Sequence, residues 1–188
     1  YLWEDILQKP CLSDILENFA SVVKEKDEDT GKMKEKVIWP RYHQLKAVNR
    51  LVTDTQEHGR GHRYLIQHSA GSGKSNTITW LSFKLVNMKE QDGITPHFRS
   101  TIVVTDRVNL DKQIRNNIFA FINNKSVVAW ADDSEALRKA LSGGKSIVVT
   151  TIEKFPFILQ TLGQEMANNN FAVVIDEAHS SQTGGMAS

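Results

Sequence analysis

The stretch that decides the fold is RYLIQHSAGSGKSNTITWLSFKL, residues 63–85. A short apolar run, RYLIQ, leads through a small-residue turn into a segment with helical spacing, TITWLSFKL. Gly71 and Gly73 admit backbone angles that a β-carbon blocks, so amide N–H groups can face an anion. A helix that opens at Lys74 adds its own unpaired N–H groups and the positive end of its dipole. The spacing is that of a phosphate-gripping loop, with Lys74 able to reach β- and γ-phosphate oxygens and Ser75 offering a hydroxyl to Mg²⁺. His68 stands where the usual pattern carries glycine. That position closes the loop and need not touch phosphate.

The surrounding chain repeats the same alternation. Short, β-branched runs occur at 63–68, 101–106, 126–131, 146–151 and 171–178. Helical segments are predicted between them at about 74–88, 107–122, 133–142 and 153–166. Runs apolar on both faces are the mark of parallel strands covered by helices on both sides. The expected fold is therefore α/β, an open doubly wound sheet of βα units whose ligands sit beyond the carboxyl ends of the strands.

The run FAVVIDEAH ends in Asp176 and Glu177. A phosphate loop that performs hydrolysis needs one acid for the metal and another to activate water. Asp176 is suited to hold Mg²⁺, with water between them, because Mg²⁺ keeps much of its hydration shell. Glu177 is suited to orient and deprotonate the attacking water. Alone, an Asp-Glu pair is an ordinary strand end. After a phosphate loop, in this order, it becomes an ATPase signature.

The first 36 residues read differently. Leu12, Ile15, Leu16, Phe19, Val22 and Val23 make a helical stripe with Ser13 as a candidate N-cap. The charged run KEKDEDTGKMKEK is predicted to be a solvated hairpin or loop. We therefore divide the chain into a linker at 1–36 and an α/β domain at 37–188. The 23 basic and 22 acidic side chains nearly cancel, so any nucleic-acid contact must come from a local patch. The single cysteine, Cys11, excludes a disulfide framework and suits a reducing cytoplasm. No apolar run approaches the roughly 20 residues that cross a bilayer. None of the six histidines shows metal-ligand spacing.

With these motifs in view, the sequence resembles the first RecA-like motor domain of a superfamily 2 helicase or translocase. AGSGKS resembles motif I, DEAH motif II, RYHQ at 41–44 the adenine-reading glutamine motif, VVTDRVNLDKQI at 103–114 motif Ia, and VVTTIEKF at 148–155 a later DNA-contacting motif. Together these wordings are most similar to the motor subunit of type I restriction endonucleases, over residues 41–182. The resemblance implies ATP and Mg²⁺ as ligands. It places Gln44 and Arg41 at the adenine, and Gly71, Ser72, Gly73, Lys74, Ser75 and Asn76 at the phosphates. Ser75 and Asp176 fall at the metal, with Lys74 and Glu177 catalytic. Thr105, Arg107, Thr150 and Thr151 are expected to grip the DNA backbone, which carries no sequence information. His179 and Gln182 are expected to couple the nucleotide state to the DNA track.

The implied activity is ATP-driven translocation of double-stranded DNA before cleavage, in a cytoplasmic complex with methylation and specificity subunits and no membrane partner. Two other readings stay open here: another DEAH-type helicase or remodeller, and a non-catalytic nucleotide-binding scaffold. In the resembling motors the strand between the phosphate-loop strand and the DEAH strand comes later than Ser188, as does a second RecA-like domain. The expectation is therefore an incomplete domain with a gap between those two strands, weak ATP binding, negligible hydrolysis and no nuclease site.

Overall fold

The structure is a computed structural model that describes residues 2–26, 31–69, 71–105, 118, 121, 127–131, 133–153 and 169–177. A π-helical turn, Leu2–Ile6, precedes α1 (Lys9–Asn18). An antiparallel hairpin follows, β1 (Ser21–Lys26) and β2 (Met33–Ile38). Next come α2 (Tyr42–His58) and α3 (Lys74–Asn87). The remaining elements are β3 (Ser100–Thr105), β4 (Val128–Trp130), α4 (Ser134–Ser142), β5 (Ile147–Thr151) and β6 (Phe171–Ile175).

Among the described residues the main sheet has the order β4-β5-β3-β6, and every pairing in it is parallel. Val104 on β3 lies opposite Thr150 on one side and Ile175 on the other. Every residue of β3 and β5 is buried, as expected for strands covered on both faces. Alternation then decides which helix each residue meets. Val103, Val149 and Ile147 pack with Ile78 of α3. Ile102, Val104 and Val148 pack with Leu137, Ala140 and Leu141 of α4. Helices thus lie on opposite faces of one parallel sheet. Asp133 caps α4 by accepting the Ala136 N–H at 2.6 Å.

The expected strand at 63–68 does not form. Residues 62–69 carry no regular structure, and Leu65 is 90% exposed. A strand needs a neighbour for its backbone N–H and C=O groups, and no described strand lies beside this segment. On β6, the last strand in the sheet order among the described residues, Val173 and Ile175 are also exposed. The expected helices at 107–122 and 153–166 fall almost wholly outside the described residues.

The N-terminal segment is not set apart in packing. Ile15 and Phe19 of α1 share a core with Leu45 and Val48 of α2, and with Trp80, Leu81 and Leu85 of α3. The Trp80 indole N–H donates to the Phe19 carbonyl at 2.9 Å, and the two rings lie 5.6 Å apart. Lys84 of α3 donates to Asp14 at 2.7 Å and to Asn49 at 3.0 Å, tying three helices together. Two expectations fail here. α1 starts at Lys9 rather than at Ser13, helped by a proline in its first turn. The stripe also splits, with Leu16 and Val22 exposed while Ile15 and Phe19 are fully buried. The described parts of the charged run pair as two antiparallel strands, β1 and β2.

Candidate active site

The loop before α3 has the backbone that its glycines were expected to supply. Gly71 has φ +71° and Gly73 φ +84°, both in the left-handed region that disfavours a side chain. Gly73 has a second constraint, because a β-carbon there would lie 2.5 Å from Nε2 of Gln44. The first helical bonds of α3 run from Asn76 N–H (3.1 Å) and Thr77 N–H (3.3 Å) to the Gly73 carbonyl. The N–H groups before them have no acceptor within the helix, which is the ordinary condition of a helix start and a ready seat for an anion.

β6 delivers the acid pair to the same place. Asp176 N–H donates to the Val104 carbonyl at 2.8 Å, which extends the β6–β3 pairing past the last strand residue. The Lys74 ammonium lies 3.1 Å from Asp176 Oδ1 and also bonds Glu177 Oε1. Burial pulls the Lys74 pKa down. Its hydrogen bonds to Glu177 and Asp176, and their charges, more than offset that, leaving it above the usual lysine value. Lys74 is therefore a cation seated between two carboxylates.

Two further observations mark this spot. Asp176 is 3% exposed, and its Oδ2 is buried with no hydrogen-bond partner among the described residues. A buried carboxylate oxygen without a donor is costly and fits a cation that completes it. Glu177 has φ +52°, a left-handed backbone uncommon outside glycine and of a kind that collects at functional sites. Its N–H donates to Asp176 Oδ1 at 3.0 Å, so the strained turn holds both carboxylates in a fixed relation. Among the described residues no group of three or more His, Cys, Asp or Glu could hold a metal by itself. A metal here would draw on Asp176, on Ser75 at the start of α3, and on the nucleotide's oxygens.

Gln44 is turned inward. It is 2% exposed, its Nε2 donates to the carbonyls of Gly73 (2.9 Å) and Ser72 (3.2 Å), and its Oε1 accepts the Arg41 N–H (2.8 Å). Reading adenine would require that amide to give up bonds it makes in this structure. Arg41 is exposed and Tyr42 is half-exposed beside it, so both stand where a base could stack.

Two of the threonines expected at DNA turn their hydroxyls to backbone carbonyls. Thr105 is fully buried, and its hydroxyl donates to the Thr150 carbonyl at 3.4 Å. Thr150 is buried, and its hydroxyl donates to the Ala131 carbonyl at 3.3 Å. Both hydroxyls point to backbone carbonyls of the neighbouring chain segments, Thr105 from the last position of β3 and Thr150 from the position before the end of β5. Thr151, the last residue of β5, is also buried, but its hydroxyl has no hydrogen-bond partner among the described residues. Arg107, His179 and Gln182 lie outside the described residues. Sequence reasoning gave His43 no role and read His68 only as the residue that closes the loop, whereas both rings reach Ser72. His43 adjoins Gln44, but nothing local announces a contact across 29 positions.

A parallel sheet with helices on both faces, a glycine loop opening a helix and an acid pair at a strand end together make a RecA-like α/β domain. The family model described as SWI2/SNF2 ATPase matches residues 43–188, and the chain belongs to that family. Similar curated proteins are restriction subunits. The type I restriction enzyme HindI endonuclease subunit of Haemophilus influenzae is 31% identical over 97% of this chain and 17% of its own length. The type I restriction enzyme SauCOLORF180P endonuclease subunit of Staphylococcus aureus is 30% identical over 78% of this chain and 15% of its own. The putative MjaIXP endonuclease subunit of Methanocaldococcus jannaschii is 27% identical over 65% of this chain and 11% of its own. The chain thus spans 17% or less of each of these relatives.

Proposed function

We propose that this chain is the ATP-hydrolysing part of a DNA-translocating motor in a type I restriction enzyme's endonuclease subunit. The observation that carries the ATPase assignment is the Lys74 cation between Asp176 and Glu177 at the mouth of a glycine loop. With no nucleotide bound, Lys74 neutralises the acid pair. When ATP occupies the loop, Lys74 turns to the β- and γ-phosphate oxygens. Gly71 and Gly73 keep the loop backbone open to the phosphates, with Ser72 and Asn76 flanking them, and Arg41 stands at the base.

Asp176 and Ser75 would hold Mg²⁺, which supplies charge neutralisation across the phosphates. Glu177, released from Lys74, accepts a proton from the attacking water. A non-catalytic scaffold has no use for that second carboxylate, still less for one held on a strained backbone.

The DNA part of the proposal rests on the names of the relatives. Their restriction-enzyme role implies duplex DNA as the track, a reducing cytoplasm, and methylation and specificity subunits as partners. In this chain Arg107 and Thr151 are the remaining candidates for phosphate contact, with His179 and Gln182 coupling the track to the nucleotide. No helix among the described residues is long and apolar enough to cross a membrane.

The test compares Asp176→Asn with Glu177→Gln. We expect Mg²⁺ to tighten ATP binding in the wild-type chain and in Glu177→Gln, and to lose that effect in Asp176→Asn. Mg²⁺ dependence that survives in Asp176→Asn would remove Asp176 from the metal. Loss of ATP binding in Glu177→Gln would show that Glu177 holds the nucleotide rather than the water.

A further inference from the structure

Ser72, in the middle of the phosphate loop, is held from two sides. Its carbonyl accepts from Nε2 of His43 at 3.1 Å and from Nε2 of Gln44 at 3.2 Å. Its hydroxyl lies 3.0 Å from Nδ1 of His68. The next carbonyl, that of Gly73, accepts from the same Gln44 amide at 2.9 Å. His43 and Gln44 both belong to the first turn of α2, so one helix end backs the loop.

Peptide planarity gives this backing a consequence. In a trans peptide the C=O and the following N–H point in opposite directions. A Ser72 carbonyl turned toward α2 sends the Gly73 N–H away from α2. The Gly73 carbonyl does the same for the Lys74 N–H. Those two N–H groups sit at the opening of α3, beside the Lys74 side chain. Because a carbonyl only accepts, His43 must carry its proton on Nε2 to make its bond.

His68 works on the other side of Ser72. Its ring packs edge-on to His43 with centroids 5.9 Å apart. Its Nε2 is buried with no hydrogen-bond partner among the described residues. Burial first, then the nearby His43 and Lys74, hold His68 below the ordinary histidine range, which favours the neutral ring. A neutral ring keeps a bond to the Ser72 hydroxyl without adding a charge next to Lys74.

We infer that His43 and His68 are positioning residues of the phosphate loop: His43 presets the Gly73 N–H through the Ser72 carbonyl, and His68 restrains Ser72 through its hydroxyl, before a polyphosphate arrives. The inference rests on the nucleotide-site proposal above and deepens it. It also explains why a non-glycine residue serves at position 68, where the imidazole restrains a loop that would otherwise be freer. Preorganisation of this kind appears in binding, because a loop already ordered loses less entropy when ligand arrives.

The test exploits the geometry of amide replacements. A glutamine amide nitrogen falls near the Nε2 position of histidine, and an asparagine amide nitrogen falls near Nδ1. The four variants His43→Gln, His43→Asn, His68→Asn and His68→Gln are made in the full 188-residue chain. Mg-ATP affinity is measured by calorimetry, with circular dichroism to confirm the fold. His43→Gln and His68→Asn should bind within about twofold of wild type. His43→Asn and His68→Gln should each bind about fivefold more weakly, the worth of one neutral hydrogen bond.

Equal affinity within each pair would overturn the inference, because a role in filling space does not distinguish two amides by reach. So would the opposite ranking. A wild-type chain that takes no nucleotide would instead remove the nucleotide-site proposal on which the inference rests.

Discussion

His68 and His97 give the residue scale a measurable consequence. Both are held below the ordinary histidine value, His68 by burial and then His43 and Lys74, and His97 by burial and then Arg60. His97 also faces Glu90, with Nδ1 3.2 Å from a carboxylate oxygen, while Arg60 bonds both Glu90 and the His97 carbonyl. A histidine whose pKa is lower folded than unfolded leaves the unfolded chain holding more protons. Its contribution to stability is present above the unfolded value of about 6.5 and is lost as pH falls from there through the folded value. The urea midpoint should therefore drop between about pH 7.5 and pH 5.5, on either side of that value. It should drop less in the His68→Asn, His97→Asn double variant. An equal drop in both proteins would assign the acid sensitivity to other groups.

At the scale of elements, Trp80 joins α1 to α3. It is 2% exposed and its N–H satisfies the Phe19 carbonyl at the C-terminal end of α1. Trp80→Phe keeps a ring but leaves that carbonyl without its donor, a loss of about 1–3 kcal/mol. Urea unfolding should show this, and a loss below a few tenths of a kcal/mol would mean α1 is held by other contacts. Elements whose evidence is local were legible in the sequence. The strands at 101–106 and 146–151 and the helix at 74–88 were placed within about two residues, because a β-branched run or a helical stripe is its own signal. What was not legible depends on neighbours. RYLIQ has the composition of a strand, but a strand also needs a partner, and Leu65 is left 90% exposed. Thr105 and Thr150 have the right chemistry for phosphate, but the sheet buries them. Gln44 has the right chemistry for adenine, but its amide faces the loop backbone. The acid pair was legible because Asp176 and Glu177 follow an apolar strand directly.

For the whole molecule, the central claim is that α3 and β6, far apart in sequence, build one nucleotide site. Lys74 and Glu177 are 103 positions apart and bonded. A ligand that binds only the folded chain stabilises it by about 2.7 kcal/mol at one hundred times its dissociation constant, so a bound nucleotide would also raise the unfolding midpoint. The most direct measurement is calorimetric titration of Mg-ATP into the wild-type chain and into Lys74→Ala. We predict saturable binding to the wild-type chain that is lost in the variant. Binding of equal strength to both proteins, or to neither, would contradict a working phosphate loop at residues 68–75.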